Sequence, residues 1–337
     1  MSAERKNEDE PMLLRMDAGG VTTLTLNRPH QRNALSRAMI AAIQNELDDI
    51  RENASVRAVI FAANGPGFCA GHDMFELVAN RKSDFYDELF DACGHMMTSI
   101  MSLPQPVIAR VQGVATAAGC QLVATCDLAV AIDTAHFATP GVHIGLFCST
   151  PMVALSRNIG RKQAMEMLIL GDPCSAEKAL EIGLVNRVVN ADTLDATVKE
   201  MTDKILDKSG YTMKVGKEAF YRQLETSVEE AYAYTAKVMA KNMMSHDAQE
   251  GVGAFVEKRK PVWRGKEGIR REPQRLRRQI HNRRPKGHQI DSDGRCQRHL
   301  EPAKLLRHEI HATKRFSRGS SQSWHRWKGS PWRIGCG

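Results

Sequence analysis

PVIARVQGVATAAGCQL, residues 106–122, is the stretch on which the fold turns. Val107, Ile108 and Val111 read as a buried strand, Gly113 breaks it, and the small residues Ala115 to Gly119 open a helix that carries Cys120, Gln121 and Leu122. Small residues at a strand-to-helix junction leave the backbone amides of the first helical turn bare, with the helix dipole behind them. Such a corner can hold negative charge on an oxygen; it can equally serve only to pack strand and helix closely. A second corner of the same kind follows a strand expected over 57–63. NGPGFCAGHD, Asn64 to Asp73, is a glycine-broken turn that also bares its amides. Two amide-presenting turns are what an oxyanion hole needs.

Working outward, Leu13 to Leu26 alternates around Asp17-Ala18-Gly19-Gly20 as a hairpin, and residues 1–11 are polar and expected to be disordered. Ser36 caps a helix whose apolar positions are Met39, Ile40, Ile43, Leu47 and Ile50. Residues 83–102 form another helix, stopped by Pro104 and Pro106. Leu128 to Ile132 is an apolar strand, and the connection from Asp133 to Pro151 is long and irregular, which in compact domains often marks function. Helices then dominate, over about 151–159, 161–170, 176–182, 191–206, 211–224, 227–246 and 247–259, with a short strand at 185–189. Repeated strand, helix and turn units in the first half predict an α/β fold with mainly parallel pairing.

Composition bounds the function. No apolar run approaches the ~18 residues of a membrane span, and the N-terminus MSAERKNEDE is acidic, without an apolar signal core or an arginine-rich presequence. A cytoplasmic protein is therefore expected. The eight cysteines are scattered, with no zinc-ligand spacing, so buried reduced thiols and no metal are expected. The net charge of +8 is uneven: residues 267–337 hold 18 Lys plus Arg against 6 Asp plus Glu, which leaves the rest mildly acidic. This shift marks a boundary near Gly265. The basic tail ends in SWHRWKGSPWRIGCG, and its basic and aromatic residues suit nucleic acid. A disordered appendage, or sequence read past the natural end, is the preferred reading, so the tail does not steer function. GPGFCAG is spaced GxGxxxG rather than GxGxxG, and no GK[ST] follows, which leaves a dinucleotide fingerprint and a P-loop unsupported.

The two loops, Gly65 to Asp73 and Arg110 to Leu122, resemble the signature loops of the crotonase superfamily, the enoyl-CoA hydratase and isomerase fold. LNRPHQRNALS (Leu26 to Ser36), CDLAVA with ATPGVHIGL (Cys126 to Leu146), GDPCSAEKALEIGLVNRVV (Gly171 to Val189) and FVEKRKPVWRGK (Phe255 to Lys266) match in the same order. The resemblance implies a spiral of ββα repeats over 12–190, which holds an acyl-CoA site, and a helical C-terminal region over 191–266. It also implies a homotrimer or hexamer. It implies no cofactor beyond the CoA of the substrate, and an enoyl-CoA hydratase-like lyase or isomerase of fatty-acid metabolism.

Carried over by position, the thioester oxygen accepts the amides of His72 and Ala118, while the His72 imidazole is free to point elsewhere. Ala70, Asp73, Met74 and Gly119 lie beside these amides in the two substrate loops. Arg28 and Arg32 stand where relatives bring basic side chains to the nucleotide, although solvated surface arginines would look the same. The departures matter more. The two glutamates by which hydratases of this family activate water are Gln121 and Gly141 here. Glutamine does not titrate near neutral pH, and each acid or base group is worth about 10²- to 10⁴-fold, so hydration is expected to be weak. Asp73, Asp133, His136, His143, Cys148 and Ser149 lie in or near the site loops; His143 and Cys148 are the substitutes considered for acid, base or nucleophile. Asp73 and Asp127 also read as structural caps. Two functions stay open: an acyl-CoA-acting enzyme, and an acyl-CoA-binding or regulatory protein without turnover.

Overall fold

Alternation in the first hairpin survives folding. The computed structural model describes residues 10–265; the expectations for residues 1–9 and for the basic tail lie outside the described residues. β1 (Leu13–Ala18) and β2 (Val21–Leu26) pair antiparallel, with Thr22, Leu24 and Leu26 turned inward. α1 (Arg37–Glu52) begins where Ser36 Oγ accepts the Met39 amide at 3.2 Å, and it buries the five apolar residues expected of it. At about 2 kcal/mol for each fully buried side chain, that stripe fixes the helix against the sheet.

β3 (Ala58–Ala63) leads to a three-residue strand, β4 (Gly67–Cys69), then the short α2 (Met74–Ala79) and the long α3 (Ser83–Ser102). β5 (Val107–Val111) leads to β6 (Val114–Thr116) and α4 (Ala118–Thr125). β7 (Leu128–Ile132) leads to β8 (His136–Ala138), a 3-10 turn at Pro140–Ile144, α5 (Pro151–Asn158) and α6 (Arg161–Leu170). β9 (Cys174–Ser175), α7 (Ala176–Glu181) and β10 (Arg187–Val189) follow. Then come α8 (Leu194–Leu206), α9 (Gly210–Gln223), α10 (Val228–Met243) and α11 (His246–Glu257).

A six-stranded sheet runs β1-β2-β3-β5-β7-β10, parallel except at the hairpin, and a four-stranded sheet runs β4-β6-β8-β9. In the three units β3-β4, β5-β6 and β7-β8 the first strand lies in the large sheet and the second in the small sheet, and the chain then returns through helix, which is the ββα spiral. Two local expectations change. The small-residue run divides, so that Val114 to Thr116 is a strand and the helix starts only at Ala118. The connection from Asp133 to Pro151 is not wholly irregular, since it holds β8 and the 3-10 turn.

The far end of α4 is tied to the C-terminal helices. Lys217 on α9 is buried and donates to the Asp127 carboxylate at 2.6 Å and to the Ile100 and Gln105 carbonyls, both at 3.0 Å. Tyr221 donates to the same carboxylate at 2.8 Å, and so does the Val107 amide at 2.7 Å. Asp127 is therefore structural, but as a junction between β5 and α9 rather than a cap. Burial lowers the Lys217 pKa from its ordinary value, against the pull of Asp127.

Candidate active site

The first glycine loop is held from two sides. Asn33, fully buried at a φ of 54°, donates from Nδ2 to the carbonyls of Asn64 (2.9 Å) and Gly67 (3.0 Å). Gln112 Nε2 donates to the carbonyls of Gly65 and Gly67, each at 3.1 Å, and Thr116 Oγ1 to that of Ala70 at 3.1 Å. The Leu35 amide donates to the Gly71 carbonyl at 2.7 Å, and the Ala70 amide to that of Arg32 at 3.0 Å. These clamps were not anticipated; their only mark in the sequence is polar residues beside glycine turns.

The loop so fixed lies against the start of α4. A Cβ added at Gly71, whose φ is 93°, would sit 3.2 Å from the Ala118 nitrogen, and one at Gly119 would sit 2.2 Å from the Cys69 carbonyl oxygen. Backbone therefore meets backbone at this corner, and both positions require glycine. Ala117 has φ 50° and ψ −120°, a conformation that costs a non-glycine residue about 1–3 kcal/mol. All eight residues of α4 are buried, and its N-terminus has no side-chain cap. Among the described residues, neither the His72 amide nor the Ala118 amide has an acceptor within the protein. A buried, uncapped helix start leaves its orphan donors for something else.

The two positions at which glutamates were expected carry no ionisable group. Gln121 is 4% exposed, and its Oε1 is sealed from solvent without a hydrogen-bond partner among the described residues. At Gly141 a Cβ would meet the Leu146 carbonyl oxygen at 2.2 Å and Cys148 Sγ at 2.9 Å, and the Leu146 amide closes the turn on the Gly141 carbonyl at 2.9 Å. This loop leaves no room for a side chain at 141. The His72 imidazole turns to the Leu35 carbonyl (Nδ1 at 3.3 Å) and stands edge-on to Phe90; Nε2 is buried without a partner. Because a carbonyl only accepts, Nδ1 carries the proton. Burial lowers the His72 pKa, partly offset by that carbonyl. Burial also raises the Cys148 thiol, partly offset by the Gly141 amide, and pushes the Cys120 thiol up to about 12.

The other residues singled out from the sequence are placed as follows. His143 is exposed and holds Nε2 2.9 Å from the Leu170 carbonyl oxygen, at the end of α6. Asp73 is the N-cap of α2, accepting from the Phe75 and Glu76 amides. Arg28 donates to Ser36 Oγ at 3.1 Å and lies 3.8 Å from the Asp73 carboxylate, whereas Arg32 is exposed at a φ of 53°. Met74 is 48% exposed at the start of α2. A cavity of about 900 Å³ opens on the outer face of the large sheet, floored by Val21, Thr23, Thr25 and Ile60; His72, Ala118, Gln121 and Gly141 do not line it. Among the described residues there is no cluster of three His, Cys, Asp or Glu placed to hold a metal, and no helix long and apolar enough to cross a membrane.

Residues 17–266 match the family described as enoyl-CoA hydratase/isomerase. The chain belongs to that family. Enoyl-CoA hydratase domain-containing protein 3, mitochondrial, of Xenopus laevis is 46% identical over 253 residues, which are 75% of this chain and 86% of the relative. The human protein of that name is 43% identical over 262 residues, 78% of this chain and 86% of the relative. Its crystal structure matches with a TM-score of 0.73 at 43% identity, over 75% of this chain and 100% of that one. An enoyl-CoA hydratase crystal structure from Mycobacterium smegmatis gives 0.75 at 54% identity, over 75% and 99%. The spiral of ββα repeats is thus the crotonase fold of the enoyl-CoA hydratase/isomerase family. The cytoplasmic expectation does not stand, because relatives at 43–46% identity are mitochondrial by name. The six cysteines within the described residues are free and buried. Such thiols fit any reducing compartment, so they could not have separated the two.

Proposed function

We propose that this enoyl-CoA hydratase/isomerase family member binds an acyl-CoA thioester with its carbonyl oxygen between the amides of His72 and Ala118, and that it hydrates enoyl-CoA poorly. The observation that carries this reading is the corner where Gly71 comes within a methyl's reach of the Ala118 nitrogen, beside two amides without acceptors. Charge that builds on a thioester oxygen during chemistry at the α or β carbon would meet both donors, each worth on the order of 3 kcal/mol. Weak hydration rests on Gln121 and Gly141, which offer no group to take a proton from water. Ala70, Asp73, Met74 and Gly119 line the acyl-CoA in this reading, with Arg28 and Arg32 toward its phosphates. The molecule would serve acyl-CoA metabolism as a trimer or hexamer. Phe220, Val228, Tyr232 and Met239 on α9 and α10, all more than half exposed, supply an apolar surface of the kind buried between copies.

The closed position at Gly141 also favours a second reading, an acyl-CoA-binding protein without turnover. Incubation with crotonyl-CoA, with calorimetric binding measured alongside the enoyl absorbance, tests both. Binding with slow or no loss of absorbance is expected; fast hydration that survives Gln121→Ala would contradict the assignment of the site.

A further inference from the structure

A peptide unit is planar and trans, so its C=O and N–H point in opposite directions and can turn only together. The His72 amide therefore faces away from whatever holds the Gly71 carbonyl. That carbonyl accepts the Leu35 amide at 2.7 Å, and Leu35 and His72 form an isolated parallel bridge. In such a bridge Leu35 bonds to the residues on either side of His72, and the N–H of His72 itself is turned outward. The two halves of the bridge are unequal. The Asp73 amide reaches the Leu35 carbonyl only at 3.4 Å, beyond the usual N–H···O distance. Gly71, at a φ of 93°, has no side chain to resist rotation of the peptide that follows it.

The His72 side chain supplies a second restraint on the weak half. Nδ1 stands 3.3 Å from the same Leu35 carbonyl oxygen and donates to it, since a carbonyl only accepts. The ring stands edge-on to Phe90, with centroids 5.3 Å apart. Nε2 is sealed from solvent and, among the described residues, has no partner. Moving the proton to Nε2 would break the Leu35 bond and leave a buried donor unpaired, so the packing holds the neutral Nδ1–H tautomer. A backbone donor at position 72 asks nothing of its side chain. Alanine would serve the amide as well and would spare the protein a buried nitrogen without a partner.

From these contacts we propose that the His72 imidazole is a positioning residue. By donating to the Leu35 carbonyl it locks the Gly71–His72 peptide, with the N–H turned away from Leu35 and open to an acyl-CoA carbonyl. The inference rests on the proposed reading of that amide as a thioester donor, and it gives the ring a task that the reading leaves unassigned.

The test uses the full chain with crotonyl-CoA carrying carbon-13 at the thioester carbonyl. His72→Phe keeps the aromatic bulk and removes the donor, whereas His72→Asn returns an N–H at the reach of Nδ1. In His72→Phe the calorimetric Kd should rise about tenfold, the scale of one hydrogen bond. The infrared shift of the bound carbonyl should fall to about half, as one of two donors is misaligned. His72→Asn should bring both back toward wild type, which a ring needed only for packing would not allow. Proton–nitrogen correlation spectra of the wild-type imidazole should place the proton on Nδ1; a proton on Nε2 would overturn the proposal even if His72→Phe failed to fold. Wild-type affinity and carbonyl shift in folded His72→Phe would overturn it and leave the acyl-CoA reading intact, and so would a His72→Asn variant no better than His72→Phe. A wild-type complex with an unshifted carbonyl would overturn both.

Discussion

Two helices begin at this site, and their starts differ. α2 is capped: the Asp73 carboxylate takes the Phe75 and Glu76 amides, and the helix shows Met74 and Phe75 to solvent. α4 has an alanine at its cap position, in a conformation that suits glycine, and is buried throughout. In α2 the orphan donors are used up by the sequence; in α4 they are withheld from the protein. A cap at α4 would be worth about 1 kcal/mol, and the chain instead accepts strain at Ala117. Stability forgone at one helix start and kept at its neighbour is the pattern expected where a backbone is reserved for a ligand.

The largest effect should come from the anchor at the far end of α4. Lys217→Met strands the Asp127 carboxylate, and a loss of about 3–5 kcal/mol is expected in urea unfolding; pairing it with Asp127→Leu should recover part of that loss. Gly119→Ala forces a methyl onto the Cys69 carbonyl and should cost about 3 kcal/mol together with crotonyl-CoA binding, read by calorimetry. If Gly119→Ala binds normally, the two loops do not form one corner. The helix starts themselves should respond in opposite directions. Asp73→Ala should lose about 1 kcal/mol, whereas Ala117→Gly should gain about 1 kcal/mol as the positive-φ strain is relieved.

The smallest effect is a pH dependence. The His72 pKa in the folded protein lies below the ordinary value of 6.5 because the ring is buried. As pH falls, the unfolded chain takes up its proton first, so stability present above pH 6.5 is lost as pH drops below it and through the folded value. A lower Tm at pH 5.5 than at 7.5 is expected, with a shallower slope in His72→Phe.

What could be read in the sequence follows the range of the interactions involved. α1 was legible because its cap and its five buried residues lie within fifteen positions of one another. The small sheet was not, because β4, β6 and β8 have three residues each, too few for alternation, and their register is set by strands 22 to 47 positions apart. The two turns that meet at Gly71 and Ala118 were legible through their glycines. The Asn33 and Gln112 clamps, the strain at Ala117 and the closing of Gly141 by Leu146 were not, since each depends on a contact or a dihedral that residue type alone does not fix.

The central claim concerns one carbonyl, and its bond strength is measurable. Isotope-edited infrared spectra of crotonyl-CoA carrying carbon-13 at the thioester carbonyl should show the stretch shifted to lower frequency on binding, as two donors withdraw density from the C=O bond. A bound thioester whose carbonyl stretch stays at its solution frequency would contradict the account.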